Sequence, residues 1–453
     1  MSERDTIAAV ATAPARGAVG MVRISGARAH AIAEQIVGSL PRARVASVRS
    51  FKDHQGQIID SGLVLRFDAP HSFTGENVVE LQGHGGPVVL QLLLDAVCQA
   101  GARRAKPGEF SERAFLNDRL DLAQAEAIAD LIDASTRDAA RAAVRSLDGE
   151  FSARVNNLAR EILDLRVFVE GALDFSDEDI DWLSDDRLHQ RVHELAQNLQ
   201  NLLTAAGRGR RLRDGLTVTL TGQPNVGKST LLNRLAGTDA AIVTDIPGTT
   251  RDILRENIEI DGMPITVIDT AGLRPSNDPV EQEGIRRAHN ALNQAELALF
   301  LIDARAGFTD QDRALLTALP PALPVWIIHN KIDLSQKTQT QANPTGDAAR
   351  EQHLHISAKA GHGIADLQQK LCAFAGLAHN SEGSFSARAR HVQALQRCQK
   401  EVAQAQKRLQ EKAHVELAAE DLRHAHDALG EITGKIKSDD LLGEIFSRFC
   451  IGK

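Results

Sequence analysis

The stretch GQPNVGKST, Gly222 to Thr230, limits the fold of this 453-residue chain more than any other feature. It follows the strand-like LTVTL and precedes LLNRLAG, an amphipathic helix start, so G-x-x-x-x-G-K-[ST] stands in a strand–loop–helix setting. Gly222 and Gly227 let the backbone turn tightly enough to aim N–H groups at phosphate oxygens. Lys228 places a point charge against terminal phosphates, and Ser229 offers its hydroxyl to Mg²⁺. Taken alone, such a match also occurs as an ordinary turn.

Three further motifs follow in a fixed order. Asp269, Thr270, Ala271 and Gly272 (DTAG) come after the strand-like PITVI, where Asp269 can reach the metal through water and Gly272 can offer its N–H to the terminal phosphate. NKID, Asn330 to Asp333, follows PVWIIH. Asp333 can accept the N1–H and 2-amino hydrogens of guanine, a donor pair that adenine lacks, and a buried carboxylate left unpaired rejects the wrong base. Asn330 can bond the other edge of the base and the stem of Lys331 can lie along the ring. Ser357, Ala358 and Lys359 (SAK) then supply the Ala358 amide to guanine O6. Each motif alone is a common surface loop; the ordered set, each at a strand end, specifies GTP, held by residues 225–230, 244–250, 269–272, 330–331, 333 and 357–359.

Hydrolysis must proceed without a glutamine after DTAG, because Leu273 fills that place and can neither donate nor accept a proton. The loop TDIPGTTRD is rich in hydroxyls and carbonyls and reads as a switch: Thr244, Asp245, Ile246, Pro247, Gly248, Thr249 and Thr250. Thr250 is a candidate second hydroxyl for Mg²⁺. Asn225 is either a plain turn residue or, with switch carbonyls, part of an oxygen cage for a monovalent cation, whose charge would replace an arginine finger. Glu281 is either a solvated glutamate at a helix start or a water-positioning carboxylate.

Around this insert the pattern changes. Up to about residue 117, strand-like runs (DTIAAVAT, GAVGMVRISG, IIDSGLVLRF, ENVVELQGHGG) alternate with turns, and PVVLQLLLDAVCQAG reads as a buried helix ended by Gly101. SERAFLNDRLDLAQAEAIADLIDAS, FSARVNNLAREILDLRVFVEGALDF and RHVQALQRCQKEVAQAQKRLQEK repeat apolar residues at three- and four-residue steps and predict amphipathic helices. The expected fold class is multidomain, α/β and all-α. An N-terminal α/β domain spans 1–117, a discontinuous helical domain spans 118–214 and 378–453, and a Ras-like P-loop α/β domain is inserted at 215–377.

Composition sets outer limits. A net charge of -8 argues against a broad electrostatic grip on nucleic acid, and 4% aromatics with no tyrosine leave no base-stacking sheet, so any RNA contact is local. Cys98, Cys372, Cys398 and Cys450 are scattered without metal spacing, as in a reducing compartment. MSERDTIAAV lacks the basic and apolar parts of a secretion signal, and no run of about 18 apolar residues appears. A cytoplasmic chain with no membrane insertion is expected. Cys450 stands fourth from the end, but Gly452 and Lys453 do not suit a prenylation box.

Several stretches outside the nucleotide motifs carry a closer likeness. With DTIAAVATAPARGAVGMVRISG, SFTGENVVELQGHGGP, KPGEFSERAFLNDRLDLAQAEAIADLIDA, TDIPGTTRD and SDDLLGEIFSRFCIGK, the chain resembles the MnmE (TrmE) family of tRNA-modification GTPases from end to end. The resemblance implies a folate-binding, dimer-forming N-terminal domain, and a homodimer that works on tRNA with the flavoprotein MnmG as a heterotetramer. The product would be an aminomethyl or carboxymethylaminomethyl group at C5 of the wobble uridine, its one-carbon unit drawn from a 5-formyl- or methylene-tetrahydrofolate. It also implies K⁺-dependent hydrolysis activated by juxtaposed GTPase domains, with K⁺ on Asn225, Thr244, Ile246 and Thr249 and Mg²⁺ on Ser229 and Thr250. Glu281 and Lys228 then fall in catalytic places, and Arg23, Glu80, Arg119 and Lys453 on folate contacts. Arg119 departs from the lysine familiar there and offers a fork in place of a point charge. Cys450 becomes a possible functional thiol. From the residues alone, Arg23 and Glu80 would be ordinary outward strand residues. A switch GTPase without chemistry, such as a ribosome-assembly factor, is the competing class.

Overall fold

The computed structural model describes residues 5–13, 15–174, 186–237, 255–269, 294–335, 351–376, 384–411, 415–435, 439–447 and 449–452. Two compact units result: one comprises 1–129, 146–199 and 393–453, the other 130–145 and 200–392. In chain order the first helices are α1 (Ala29–Val37), α2 (Pro87–Gln99), α3 (Glu109–Leu116), α4 (Leu122–Asp133), α5 (Arg137–Leu147), α6 (Glu150–Asp174) and α7 (Asp186–Asp214). They are followed by α8 (Lys228–Ala236), α9 (Asp310–Thr317), α10 (Ile364–Phe374), α11 (Ala389–Glu411), α12 (Val415–Thr433) and α13 (Asp439–Ser447).

In the first unit, β1 (Ile7–Val10), β2 (Gly17–Ser25), β3 (Ser47–Lys52), β4 (Ile58–Phe67), β5 (Val78–Gly85) and β6 (Arg103–Arg104) form one sheet ordered β3-β4-β5-β2-β1-β6. Its pairs are antiparallel except β1 with β6. Alternation along the strands turns Val22, Ile24, Val64, Val79 and Leu81 toward α1 and α2, where they meet Ile32, Ile36, Leu93 and Val97. Burying each such side chain contributes roughly 1.5–3 kcal/mol. The helix expected over PVVLQLLLDAVCQAG forms, but Val88 and Leu92 are 73% and 53% exposed, so it is amphipathic and not buried all round.

The helix expected over SERAFLNDRLDLAQAEAIADLIDAS is broken in two. Asp118 takes a left-handed φ of 55°, and a new helix start follows in which Asp121 N donates to Gln124 Oε1 while Gln124 N donates to Asp121 Oδ1. That reciprocal cap satisfies N–H groups a continuous helix would have paired itself. The break lets Phe115 and Leu122 share a cluster with Leu442, Ile445, Phe446 and Phe449, near the end of the chain.

In the second unit, β7 (Leu216–Gly222), β8 (Arg255–Ile260), β9 (Met263–Asp269), β10 (Leu297–Asp303), β11 (Val325–Asn330) and β12 (Glu351–His355) are ordered β12-β11-β10-β7-β9-β8. All pairs are parallel except β8 with β9. Along β10, Leu297, Leu299 and Leu301 enter the core beside α8 and α10, while Ala298, Phe300 and Ile302 enter the core beside α9. Burial on both faces explains why LALFLI reads as a continuous apolar run. The strand after β7 in the sheet lies on one side, β10 on the other, so the carboxyl ends of β7 and β10 flank a switch point, where open α/β sheets bind ligands.

The two ends of this segment are fastened on one carboxylate. Arg213, just before β7, donates to Asp130 Oδ1 at 2.7 Å; Ser386 donates to Asp130 Oδ2 at 2.6 Å and Arg388 to Oδ1 at 2.7 Å. Asp130 is buried, and three donors compensate its lost hydration.

Candidate functional site

The phosphate loop follows β7 directly. Gly222 has φ 138°, and a Cβ there would stand 2.3 Å from the Leu301 carbonyl oxygen, so only glycine fits beside β10. Asn225 (φ 63°) and Gly227 (φ 102°) turn the backbone through the left-handed region. Gly227 caps α8 without any side-chain acceptor, at the helix end whose dipole and backbone N–H groups favour an anion. Lys228 Nζ donates to the Gly222 and Gln223 carbonyls at 2.8 and 2.9 Å, holding its charge within the loop. Gln223 is tied to the N-terminus of α9 through Thr309 Oγ1 and Asp312 Oδ1, at 2.7 and 2.8 Å.

Asn330 knits the loops together. Its side chain is buried; Nδ2 donates to the Val226 carbonyl at 2.8 Å, and Oδ1 accepts the Lys331 and Ala358 N–H groups, both at 2.9 Å. Beside the base contact that the spacing suggests, its amide has a second role, bracing the phosphate loop against the SAK loop. The Ala358 N–H, expected to reach a base oxygen, is given to Asn330. Lys331, at φ 67°, crosses to the phosphate loop: Nζ donates to the Asn225 backbone oxygen at 2.6 Å and to Asp303 Oδ2 at 2.9 Å. The Arg305 guanidinium, with Lys331 behind it, holds the Asp303 carboxyl well below the usual carboxylate range.

Asp333 is exposed in a 3-10 turn, Ile332–Leu334, after β11, and Ser357 is buried with Oγ accepting the Ala360 N–H at 3.0 Å. Asn225, Ser229, Thr230 and Lys359 are exposed, while Val226 is buried. β9 delivers Asp269 to the same strand-end side as β7, in register with Leu220. Thr244, Asp245, Ile246, Pro247, Gly248, Thr249, Thr250, Thr270, Ala271, Gly272, Leu273, Glu281 and Lys453 lie outside the described residues. Beneath the NKID loop, three imidazoles meet. His329 stacks on His355 with centroids 4.5 Å apart and lies 3.0 Å from His353, nitrogen to nitrogen. Burial, then repulsion by His355 and His353, pushes His329 down to about 4.

In the first unit, Arg23 and Glu80 stand opposite each other on β2 and β5, with Arg23 Nε 3.1 Å from Glu80 Oε1. Neither is an outward solvated residue: their side chains are 18% and 14% exposed. The Arg23 guanidinium lies 5.5 Å from the Phe73 ring centroid and 5.8 Å from that of Phe110. The loop carrying Phe73 is pinned by Ser25 Oγ to Thr74 Oγ1 and Glu76 Oε2, both 2.7 Å, and by Asn117 Nδ2 to Thr74 O at 2.6 Å. Arg113, only 5% exposed, reaches Glu76, Glu109 and Asp5 at 3.1, 3.1 and 3.0 Å.

Arg119 touches the same loop, its Cγ 3.2 Å from where a Cβ at Gly75 would lie, and lines a cleft of about 370 Å³ with Asn156, Thr433 and Lys435. Gly452 packs against Val10 and Ala11, next to Ala9, the register partner of Arg23. Cys450 is exposed, and its carbonyl accepts the Gly108 N–H at 3.4 Å. The structure therefore places Arg23 and Glu80 on the central strands β2 and β5, Arg119 against the loop that carries Phe73, and Gly452 against the end of β1. Sequence reasoning missed Phe73, Phe110 and Arg113 there, and Gln223, Arg234 and Asp303 at the nucleotide loops; only the family-like SFTGEN and KPGEFSERAF stretches drew attention to the first group.

Among the described residues no helix is long and apolar enough to cross a membrane. A doubly covered parallel sheet with a lysine-bearing loop at its switch point, followed by NKID and SAK at strand ends, defines a P-loop GTPase. Family comparison agrees: the MnmE helical domain profile matches residues 122–450, and that of the GTP-binding protein TrmE N-terminus matches 6–119. The tRNA modification GTPase MnmE of Hydrogenovibrio crunogenus is 52% identical over 100% of this chain and 99% of its own. That of Nitrosomonas europaea is 53% identical over 100% of both. The G domain of the T. maritima FeoB iron transporter is 25% identical over 35% of this chain and 98% of its own, with a TM-score of 0.28. The chain belongs to the MnmE family of tRNA modification GTPases, enzymes that hydrolyse GTP in tRNA modification.

Proposed function

We propose that this chain works as a homodimer with an MnmG-type flavoprotein, and that its GTP cycle drives addition of an aminomethyl or carboxymethylaminomethyl group at C5 of a tRNA wobble uridine. The observation that carries the reading is the pairing of a braced guanine-nucleotide cradle with a second polar cluster, Arg23, Glu80 and Arg119, of a kind that a pure switch has no use for. In that cluster Glu80 suits the donor edge of a pterin, and Arg23 and Arg119, with Lys453, suit the carboxylates or formyl oxygen of a tetrahydrofolate. Cys450 is a nearby thiol of unassigned role. Exposed apolar residues on the outer strands support the dimer: Val48 and Leu63, paired across β3 and β4, are 64% and 40% exposed, and Ile58, at the far end of β4, is 67% exposed.

In the cradle, backbone N–H groups of residues 226–230 and the Lys228 ammonium bind the phosphates, and Asp333, with the Ala358 N–H shared between Asn330 Oδ1 and the base, selects guanine. Ser229 and Thr250 would hold Mg²⁺, with Asp269 acting through water. Asn225, Thr244, Ile246 and Thr249 would hold K⁺. Asn225 suits that use: its backbone oxygen is taken by Lys331, while among the described residues its exposed side-chain oxygen has no partner. K⁺ so placed supplies positive charge beside the transferring phosphoryl group. Glu281 orients water in place of the glutamine that Leu273 replaces.

Nucleoside mass analysis of wobble uridines in cells lacking the protein tests the chemistry. Loss of the C5 modification is expected; unchanged modification would leave only the switch reading. Replacing K⁺ by Na⁺ is expected to lower the GTPase rate at least tenfold, and equal rates would remove the cation from the account.

A further inference from the structure

Arg234 occupies the last turn of α8, the helix whose first turn follows the phosphate loop, and nothing in the nucleotide motifs includes it. Its guanidinium does not pair with an acid among the described residues. It donates instead to two successive carbonyls of the SAK loop, Nε to Ala358 O at 3.2 Å and Nη2 to Lys359 O at 2.8 Å. Gly361, at φ 91°, keeps the space open: a Cβ there would lie 3.2 Å from Nη2.

The amides of this loop have distinct fates. Ala358 N–H goes to Asn330 Oδ1, Ala360 N–H to Ser357 Oγ and Gly361 N–H to Ser357 O, at 2.9, 3.0 and 2.7 Å. Among the described residues Lys359 N–H alone of these four has no acceptor. The peptide plane it shares with the Ala358 carbonyl is rigid, and in a trans peptide the two groups point in opposite directions. Drawing the Ala358 oxygen onto Arg234 therefore turns the Lys359 N–H away from α8.

We propose that Arg234 is a positioning residue for base recognition: by fixing the Ala358–Lys359 peptide it presents the Lys359 N–H, beside the shared Ala358 N–H, to the O6 oxygen of guanine. This rests on the reading of the SAK loop as the acceptor-recognising edge of the site. It also ties that edge mechanically to the phosphate helix, so base and phosphate recognition are set by one element.

The test compares the full-length protein with Arg234→Ala, titrated calorimetrically with GTP and with 6-thioguanosine triphosphate, which keeps the N1–H and 2-amino donors but replaces O6 with a weakly accepting sulfur. The wild type is expected to favour GTP. In Arg234→Ala that preference is expected to shrink roughly tenfold, through weaker GTP binding with the analogue almost unchanged. Arg234→Lys, which keeps one donor and the charge, is expected to fall between. Equal weakening toward both nucleotides, or no change toward either, would overturn the proposal, because a merely structural arginine does not distinguish them. A wild type indifferent to O6 would instead overturn the base-loop reading and the inference with it.

Discussion

The nucleotide cradle and the Arg23–Glu80 cluster are built by opposite means. In the cradle the working groups are largely backbone amides, presented by loops at adjacent strand ends, and a single buried side chain, Asn330, holds two of those loops in register. In the cluster the polar groups are side chains brought together across strands far apart in sequence, beside an ion-pair network of Arg113 with Glu76, Glu109 and Asp5. The first design concentrates risk in one neutral amide. The second spreads it over an ion-pair network whose cost appears when one partner is lost.

The comparison can be broken most sharply at its keystone. Asn330→Ala leaves the buried Val226 carbonyl and Ala358 N–H without their partner, at about 1–3 kcal/mol each. A loss of nucleotide affinity on the order of a thousandfold is expected by calorimetry, with Arg23–Glu80 amides exchanging as before; a change under fivefold would show that the brace is dispensable. Arg113→Met tests the other side. It takes one donor from Glu76 and Glu109, which keep Ser25 and Arg103, and is expected to destabilise the first unit by about 1–3 kcal/mol, read from hydrogen exchange of β2 and β5 amides. Exchange accelerated equally in β7 and β10 would mean that the two regions do not differ in this way.

Acid sharpens the contrast further. Because burial depresses His329, the native unit resists a proton that the unfolded chain accepts below about pH 6.5. Stability is therefore fully present above pH 6.5 and is lost as pH falls toward about 4. His329→Gln is expected to flatten urea midpoints across that window; an unchanged slope would remove the imidazole stack as its cause. The smallest effect is expected at Arg119, which is exposed. Arg119→Lys keeps the charge and is expected to shift folate-analogue affinity less than fivefold, whereas a large loss would show that its fork is used.

These differences also explain what the sequence made legible. GQPNVGKST, NKID and SAK could be read because a backbone cradle needs contiguous residues, glycines at fixed places and a strand before each loop. The pairing of Arg23 with Glu80 could not, because two β-residues 57 positions apart carry no local signature of their register. The break between α3 and α4 was missed for a different reason: FLNDRLDLA keeps helical periodicity while Asp118 and the Asp121–Gln124 cap interrupt the backbone. Arg234 and Asp303 were invisible as well, since a side chain that grips carbonyls or steadies a lysine can come from any polar position.

The central claim is that one purine is chosen by a cradle whose edges are set by Asn330 and its neighbours. Titrating the full-length protein with GTP and with ATP under identical Mg²⁺ and K⁺ tests it most directly. GTP is expected to bind at least a thousandfold more tightly, since adenine would leave the Asp333 carboxylate unpaired. Equal affinities for the two nucleotides would contradict the account.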